Sequence, residues 1–355
     1  MNPPRRLPAG LSRIRLTRLA GVFVVLLAMT AVPAADAAFS DSASLPTTTI
    51  STNTLAPPTN IAVSQSCTPP PPVVFRGASS NRAQDQLTIA TPVGTQAGDV
   101  LVAQVANRSG LFSGLTAPSG WTLLGRTNSG GQVTEAVFYK VAGSVEPASH
   151  TFGLVGSSGV QMAGGIAAYD GVWTVDPVEA FGVRTGASAT ASTPSVTTTV
   201  ANTVLLHTIT KRQEDLPAPA GTTPRWQVYS GTGTATEGAT ASDESFAGPG
   251  ATPTRSSSTG FNSEWVTHTI ALRPVPGTPY ANGTWTATPS AWATGYRVER
   301  LVGGVVQLTG YLTPVSATSA TDGPLSNGVT YTYRIVGYYQ SWTSTPQTAT
   351  LTTNC

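Results

Sequence analysis

Two cysteines, Cys67 and Cys355, are the residues of this chain whose type and placement most directly predict chemistry. The first ends a short stretch of alternating apolar residues, and the second is the last residue of the chain. In a secreted protein an even cysteine count favours a disulfide, although two unrelated thiols or links to other chains also fit the count. Two cysteines so placed cannot build a metal site or a catalytic pair, because they provide too few ligands and no base.

The acidic residues and histidines form no catalytic pattern. Adjacent acidic residues occur as Glu214-Asp215 and Asp243-Glu244. Both pairs lie in stretches rich in Gly, Ala, Pro and Thr, which favours solvated loop charges over a pair of catalytic carboxylates. The three histidines share no motif or spacing, and they are His150, His207 and His268. We therefore expect strand or edge histidines, no metal, no cofactor and no enzyme, since a G-x-S-x-G elbow and a P-loop are also missing from the sequence.

Composition predicts β structure and argues against charged partners. Charged residues make up 10% of the chain, against about 25% in a typical soluble domain. Long surface helices need Glu, Lys and Arg, whereas abundant Thr and Val with 36 Gly and 28 Pro favour short strands joined by turns. The chain has no basic stripe, so we exclude a nucleic-acid partner.

Residues 1–38 have the organisation of a secretory signal peptide. A basic region reaches Arg18, the apolar run Leu19–Thr30 follows, and small residues lead to a predicted cleavage near Ala37 or Ala38. The run is shorter than the ~20 residues of a membrane span, but an uncleaved N-terminal anchor is the alternative and would be the chain's one contact with a membrane. Residues 39–56 are a Thr/Ser/Pro-rich linker or stalk. We expect a secreted or cell-surface protein.

The rest of the chain divides at two proline-rich stretches. Residues 57–67 alternate Ile61 and Val63 with polar neighbours, which predicts a single strand before the run of prolines that begins at Pro69. Residues 73–273 carry ten to twelve short predicted strands with turn signals between them, which is typical of an antiparallel sandwich. Within them Trp226 and Tyr229 are candidates for stacking on a sugar, with core packing as the alternative for both.

A tyrosine-corner pattern appears in residues 279–355, after the second proline-rich stretch. The pattern is Leu325-x-x-Gly328-x-x-Tyr331-x-Tyr333, preceded by Trp285 and Tyr296. These residues resemble a fibronectin type III domain, and the resemblance implies that the Tyr331 hydroxyl pins the corner before strand F. No first strand precedes Trp285, and residues 57–67 are similar to a type III first strand. The resemblance thus implies a split domain whose first and last strands would bring Cys67 and Cys355 together at one pole.

Two further resemblances concern the compartment. The phrases QAGDVLVAQV at 96–105, APSGWTLLG at 117–125 and HTIALRP at 268–274 are similar to a jelly-roll-like domain of secreted bacterial and phage tail-associated proteins. That resemblance implies an extracellular, non-enzymatic domain. FSDSAS at 39–44 resembles the start of surface proteins that have SipW-type signal peptides, some of which form matrix fibres.

The sequence predicts an all-β fold of two antiparallel sandwiches behind an N-terminal signal helix. A type III-like domain is interrupted in its A–B loop by a larger jelly-roll-like sandwich. We expect a non-catalytic binding or adhesion protein whose partner is a carbohydrate or a surface protein. The alternatives are a structural subunit of an extracellular fibre or matrix and, third, a secreted polysaccharide-active enzyme.

Overall fold

The structure, a computed structural model, describes residues 53–108, 114–156, 158–214, 216–231 and 236–355. The predicted signal peptide and its helix, and the linker up to residue 52, lie outside these ranges. Every regular element within them is a β-strand, and no helix there is long and apolar enough to cross a bilayer.

All pairings between these strands are antiparallel. In chain order the strands are β1 (Thr59–Thr68), β2 (Val74–Gln84), β3 (Gln86–Ala90), β4 (Val100–Asn107), β5 (Gly114–Thr116), β6 (Thr122–Ser129), β7 (Val133–Val141), β8 (Ser149–Val155), β9 (Gln161–Asp170), β10 (Val178–Ser192), β11 (Thr197–Thr198), β12 (Thr203–Arg212), β13 (Thr223–Tyr229), β14 (Glu237–Phe246), β15 (Gly250–Ala251), β16 (Ser256–Leu272), β17 (Thr278–Thr286), β18 (Gly295–Val302), β19 (Val305–Leu312), β20 (Ser319–Asp322), β21 (Thr330–Tyr339), β22 (Trp342–Thr343) and β23 (Gln347–Thr352).

The first and last parts of the chain together form a type III-like sandwich. One sheet has the order β1-β17-β20, and the facing sheet has the order β19-β18-β21-β22 with β23 also paired to β21. Trp285, Tyr296 and Ile335 fill the space between the sheets, and Ile61 of β1 packs against them. The strands therefore occupy the A, B and E positions of one sheet and the C′, C, F and G positions of the other.

β1 reaches this sandwich across more than two hundred residues of intervening chain. It pairs with β17 from Thr59 opposite Thr286 to Thr68 opposite Thr278. A disulfide joins Cys67 to Cys355, with Cα atoms 5.8 Å apart. The predicted fold class is confirmed, including the interruption between the first and second strands. β17 starts earlier than the predicted second strand at Thr284, because a proline is tolerated near the beginning of a strand.

The intervening residues stack several sheets. A five-stranded sheet of order β2-β9-β4-β7-β6 lies in the middle, and β3-β8-β5 covers one of its faces. A second five-stranded sheet, β10-β16-β12-β14-β13, covers the other face. Large side chains fill both interfaces, among them Leu101, Phe138, Phe152 and Ile166 in the first and Val102, Tyr169, Leu206 and Ile270 in the second.

Burial of the middle sheet on both faces explains its composition. Every residue of β4 is buried, so the strand is apolar with little alternation, as strands covered on both faces are. The sequence prediction of alternating strands fits the outer layers better, for instance β3, in which Leu87 and Ile89 are buried between exposed neighbours. The structure thus adds a doubly covered layer to the predicted sandwich.

Candidate functional site

The predicted corner residue anchors the type III sandwich. The Tyr331 hydroxyl accepts a hydrogen bond from the backbone N–H of Ser326 at 3.0 Å, and the ring lies in a core cluster with Leu325 and Tyr333. This is the geometry of a tyrosine corner, in which the hydroxyl bonds to the backbone a few residues upstream. Its role is structural, since the side chain is 6% exposed.

Each histidine of the insert belongs to a separate internal network. His150 accepts a hydrogen bond from Trp121 Nε1 at 3.2 Å. His268 Nδ1 lies 3.0 Å from Glu135 Oε1, with both side chains fully buried. Among the described residues no three His, Cys, Asp or Glu side chains converge as a metal site would require.

His207 is held between two strands of the outer five-stranded sheet. Its Nδ1 lies 3.1 Å from the Thr269 hydroxyl, and its Nε2 lies 3.0 Å from Glu244 Oε1. Burial lowers the pKa of His207, and the nearby Glu244 carboxylate opposes that shift only in part. Burial alone would raise the pKa of Glu244, but hydrogen bonds from Arg255 and His207 outweigh it and lower that pKa.

This network predicts that the protein begins to lose stability on acidification at a pH above the pKa range of carboxyl groups. Because the folded pKa of His207 lies below its ordinary value of about 6.5, the unfolded chain takes up a proton first as the pH falls. Stability is therefore full above that value and falls below it, by at most about 1.4 kcal/mol per pH unit for one proton. We expect His207→Gln to flatten the decline in melting temperature between pH 7 and pH 5, measured by calorimetry.

Part of the decline will remain in the variant, because burial also lowers the pKa of His150. The slope of melting temperature against pH is the quantity compared, because the substitution also changes the melting temperature at pH 7. The Glu244 carboxylate does not affect this comparison, because its lowered pKa matters only below about pH 4.5. An unchanged slope would contradict the prediction.

The acidic pair expected in a solvated loop is instead part of a buried strand. Asp243 lies in β14 and is 4% exposed. Its carboxylate accepts a hydrogen bond from the Tyr169 hydroxyl at 2.7 Å and two from the Arg225 guanidinium at 2.7 and 2.6 Å. Glu244 pairs with Arg255, as described above. The loop prediction for Asp243 and Glu244 was wrong, because β14 is built from small residues that carry no apolar signal.

Neither of two recesses in the described part of the chain is an acidic cleft. A recess of about 440 Å³ is lined by Trp173, Arg273 and the backbone around Pro276 and Asn354, among others, and no carboxylate side chain or histidine lines it. A smaller recess of about 130 Å³ borders Asp243 and Glu244, but Arg225 and Arg255 already neutralise both carboxylates. Glu214 is described and pairs with Lys211 at 2.8 Å, whereas its neighbour Asp215 lies outside the described residues.

Trp226 does not stack on a ligand in this fold. Its ring is 6% exposed and lies between the two five-stranded sheets, where Nε1 donates to Gln104 Oε1 at 2.9 Å. The ring sits directly on Gly165, where a Cβ would come within 2.4 Å of it. Core packing is thus confirmed for Trp226 and sugar stacking is not, because the doubly covered middle sheet leaves its second face to be filled. Tyr229 is half-buried, with its hydroxyl 2.6 Å from the Thr236 hydroxyl, and its stacking role stays a prediction.

Among the described residues, the exposed tryptophan and tyrosine rings lie on the type III sandwich, whereas the insert exposes one phenylalanine ring, that of Phe261, at 49%. Trp342 is 55% exposed and Tyr339 39% exposed, and half-buried Trp292 lies beside both rings. The group formed by Trp292, Tyr339 and Trp342 was not predicted from the sequence. The signal available was YYQSW at 338–342, in which aromatic residues stand on both sides of a two-residue turn. An uncharged aromatic surface of this kind is suited to binding and not to acid–base chemistry.

No family model matches this chain, and no curated protein matches it. The solved structures it is similar to include a two-domain fibronectin type III segment of chicken tenascin, at 16% identity over 50% of this chain and 100% of that chain, with a TM-score of 0.19. They also include the FN1–FN3 domains of chicken CNTN1, at 9% identity, 81% and 100% coverage and a TM-score of 0.20. A titin segment matches at 11% identity, 82% and 98% coverage and a TM-score of 0.18. The type III-like assignment used below rests on the strand order and core described above.

Proposed function

We propose that this protein is an extracellular, non-catalytic binding protein that attaches to a carbohydrate or another component of a cell envelope. The observation that carries the proposal is the placement of its aromatic and ionisable side chains. The exposed rings of Trp342 and Tyr339 are free to contact a partner. The acidic and histidine side chains singled out in the described part of the insert instead pair with other ionisable side chains of the fold.

The proposed compartment is supported by the disulfide and by the N-terminal sequence. A disulfide persists in oxidising compartments and is rare in the cytosol, so Cys67–Cys355 favours an extracellular location. The predicted signal peptide at residues 1–38 provides the route. We propose cleavage near Ala37 or Ala38, and the first residue of the secreted chain, read by mass spectrometry, tests it.

A binding screen tests the proposal as a whole. The secreted protein is mixed with isolated cell walls and with a panel of insoluble polysaccharides, and the bound fraction is measured after washing. We expect binding to walls or to at least one polysaccharide, without release of reducing sugar ends. Release of such ends would support the enzyme alternative, and no binding to any material would contradict the proposed function.

A structural role in a fibre or matrix is the second candidate, and the β19 edge favours it. β19 carries no charge, and Val305, Leu308 and Tyr311 are 63%, 49% and 62% exposed. Among the described strands none pairs with its outer edge, and such apolar edges pair readily with another chain. A bulge at the β18 pairing, where Arg300 meets Leu308 and Leu301 meets Val306, is its one protective feature. Concentration-dependent assembly in sedimentation velocity would support this role, and a strict monomer at high concentration would contradict it.

A further inference from the structure

Three aromatic rings meet at the pole of the type III sandwich where the described chain enters it. Trp292 lies in the loop between β17 and β18, and Tyr339 and Trp342 flank the turn between β21 and β22. The Trp292 ring lies 5.4 Å from Tyr339 at 80° and 6.4 Å from Trp342 at 83°. Such edge-to-face contacts fix ring orientation, so Trp342 is held in place while more than half of it stays exposed. We call Trp292, Tyr339 and Trp342 the aromatic pole.

The backbone that carries the aromatic pole is held rigidly. Gln340, between Tyr339 and Trp342, has a φ of +52°, the left-handed conformation of a tight hairpin turn. A hydrogen bond from Thr294 N to Tyr338 O at 2.8 Å ties the β17–β18 loop to this hairpin, and one from Ser344 N to Gly337 O at 2.9 Å closes the hairpin itself. Rings fixed in this way lose little conformational entropy when a ligand binds to them.

The segments that form the aromatic pole carry no charge. Three segments meet there, residues 54–60, 284–296 and 335–346, and their sequences contain no Asp, Glu, Lys, Arg or His. The first is fixed to the second by a hydrogen bond from Ala56 N to Ser290 Oγ at 3.0 Å. An anionic polymer or a charged peptide would find no counter-ion at this surface. The polar groups beside the rings are amides and hydroxyls, as in Gln340 and Ser341.

We propose that the aromatic pole binds a neutral polysaccharide, an inference that rests on the carbohydrate-binding function proposed above. The apolar C–H face of one sugar residue stacks on the exposed face of Trp342, and its neighbour in the chain contacts Tyr339. The hydroxyl groups of the sugars exchange hydrogen bonds with the side chains of Gln340 and Ser341. The absence of charge excludes uronate and sulfate polymers, which would lose hydration without gaining an ion pair.

The test uses the secreted full chain and defined polymers. Cellulose, chitin, xylan and amylose serve as neutral probes, and alginate and polygalacturonate serve as anionic ones. We expect binding to at least one neutral probe and to neither anionic probe. Trp342→Ala should weaken that binding about tenfold or more, as expected for the loss of a central aromatic contact. Trp342→Phe should restore most of it, which separates ring stacking from a folding defect.

Phe261→Ala is the matched control, because Phe261 is a 49% exposed ring on β16 of the insert and does not belong to the aromatic pole. It should bind as the wild type does. Equal binding by wild type and Trp342→Ala would overturn the assigned site and leave the carbohydrate-binding function standing. Binding to cell walls that is lost after protease treatment, with no neutral probe bound, would overturn the ligand class. No binding to any wall or polymer would overturn the inference and the proposed function together.

Discussion

Loss of the Cys67–Cys355 disulfide is expected to destabilise the type III sandwich and to spare the insert. The bond ties the end of β1 to the end of the chain, and β1 pairs with β17 alone within its sheet. Removal of a native disulfide typically costs about 2–5 kcal/mol. The insert has its own two buried interfaces and no cysteine in the intervening sequence, so its stability should hardly change.

Hydrogen exchange read by mass spectrometry separates the two parts of the chain. In the Cys67→Ser/Cys355→Ser variant, peptides that cover β1 and β23 should exchange faster by a factor that matches the lost free energy. Peptides that cover β4 serve as the internal control and should keep their protection. Faster exchange in β4 to the same extent, or no change in β1, would contradict the split of the molecule into two stability units.

Removal of either member of the Glu135–His268 pair is expected to cost the insert about 3–5 kcal/mol, because the other member then stays buried with only a hydroxyl partner. Both side chains are fully buried between the two five-stranded sheets. Glu135 Oε1 also accepts a hydrogen bond from the Thr208 hydroxyl, and Phe181 stacks on the His268 ring at 5.1 Å. Urea unfolding of His268→Ala and Glu135→Ala, followed by fluorescence, measures the effect.

Two further variants serve as controls for that prediction. Replacing both members by leucine should cost less than the two alanine variants summed, because neither buried polar group is then left without the other. Asp176→Ala breaks an exposed ion pair to Arg273, 3.1 Å long with Asp176 54% exposed, and should cost less than about 1 kcal/mol. If His268→Ala lowers the free energy of unfolding by no more than Asp176→Ala does, the prediction for the buried Glu135–His268 pair is contradicted.

The type III sandwich could be predicted because several of its core residues have a recognisable spacing along the sequence. Trp285, Tyr296 and Tyr331 have the spacing of a known corner and core, and the missing first strand pointed back to Ile61 and Val63. The two cysteines then implied the same pairing independently. In the structure Ile61 packs against the cluster of Trp285, Tyr296 and Ile335, as a first strand of this sandwich must.

The buried strand β14 and the place of Trp226 in the insert could not be predicted from the sequence, for a physical reason. β14 is a buried strand made of Gly, Ala, Ser, Thr and acidic residues up to the Phe246 at its end, because the neighbouring side chains of Trp226 and Tyr169 already fill the space around it. Small residues in a buried strand look like a loop in sequence. For Trp226, nothing in PRWQVY reveals that Gly165 leaves room for its ring, so the sequence did not decide between core packing and sugar stacking. The aromatic pole was missed because Trp292 and Trp342 meet only through the fold.

The disulfide also determines how a pulling force would pass through this protein. Leu55 and the start of β1 lie at the aromatic pole. Near the other end of β1, Cys67 is bonded to Cys355, 288 positions later in the sequence. Tension applied between residue 55 and the carboxyl terminus therefore has a covalent path through β1 and the sulfur bridge alone, about 45 Å when fully extended. The insert lies outside that path and carries no load. An attached molecule of this kind could be stretched at its ends without unfolding the larger of its two sandwiches.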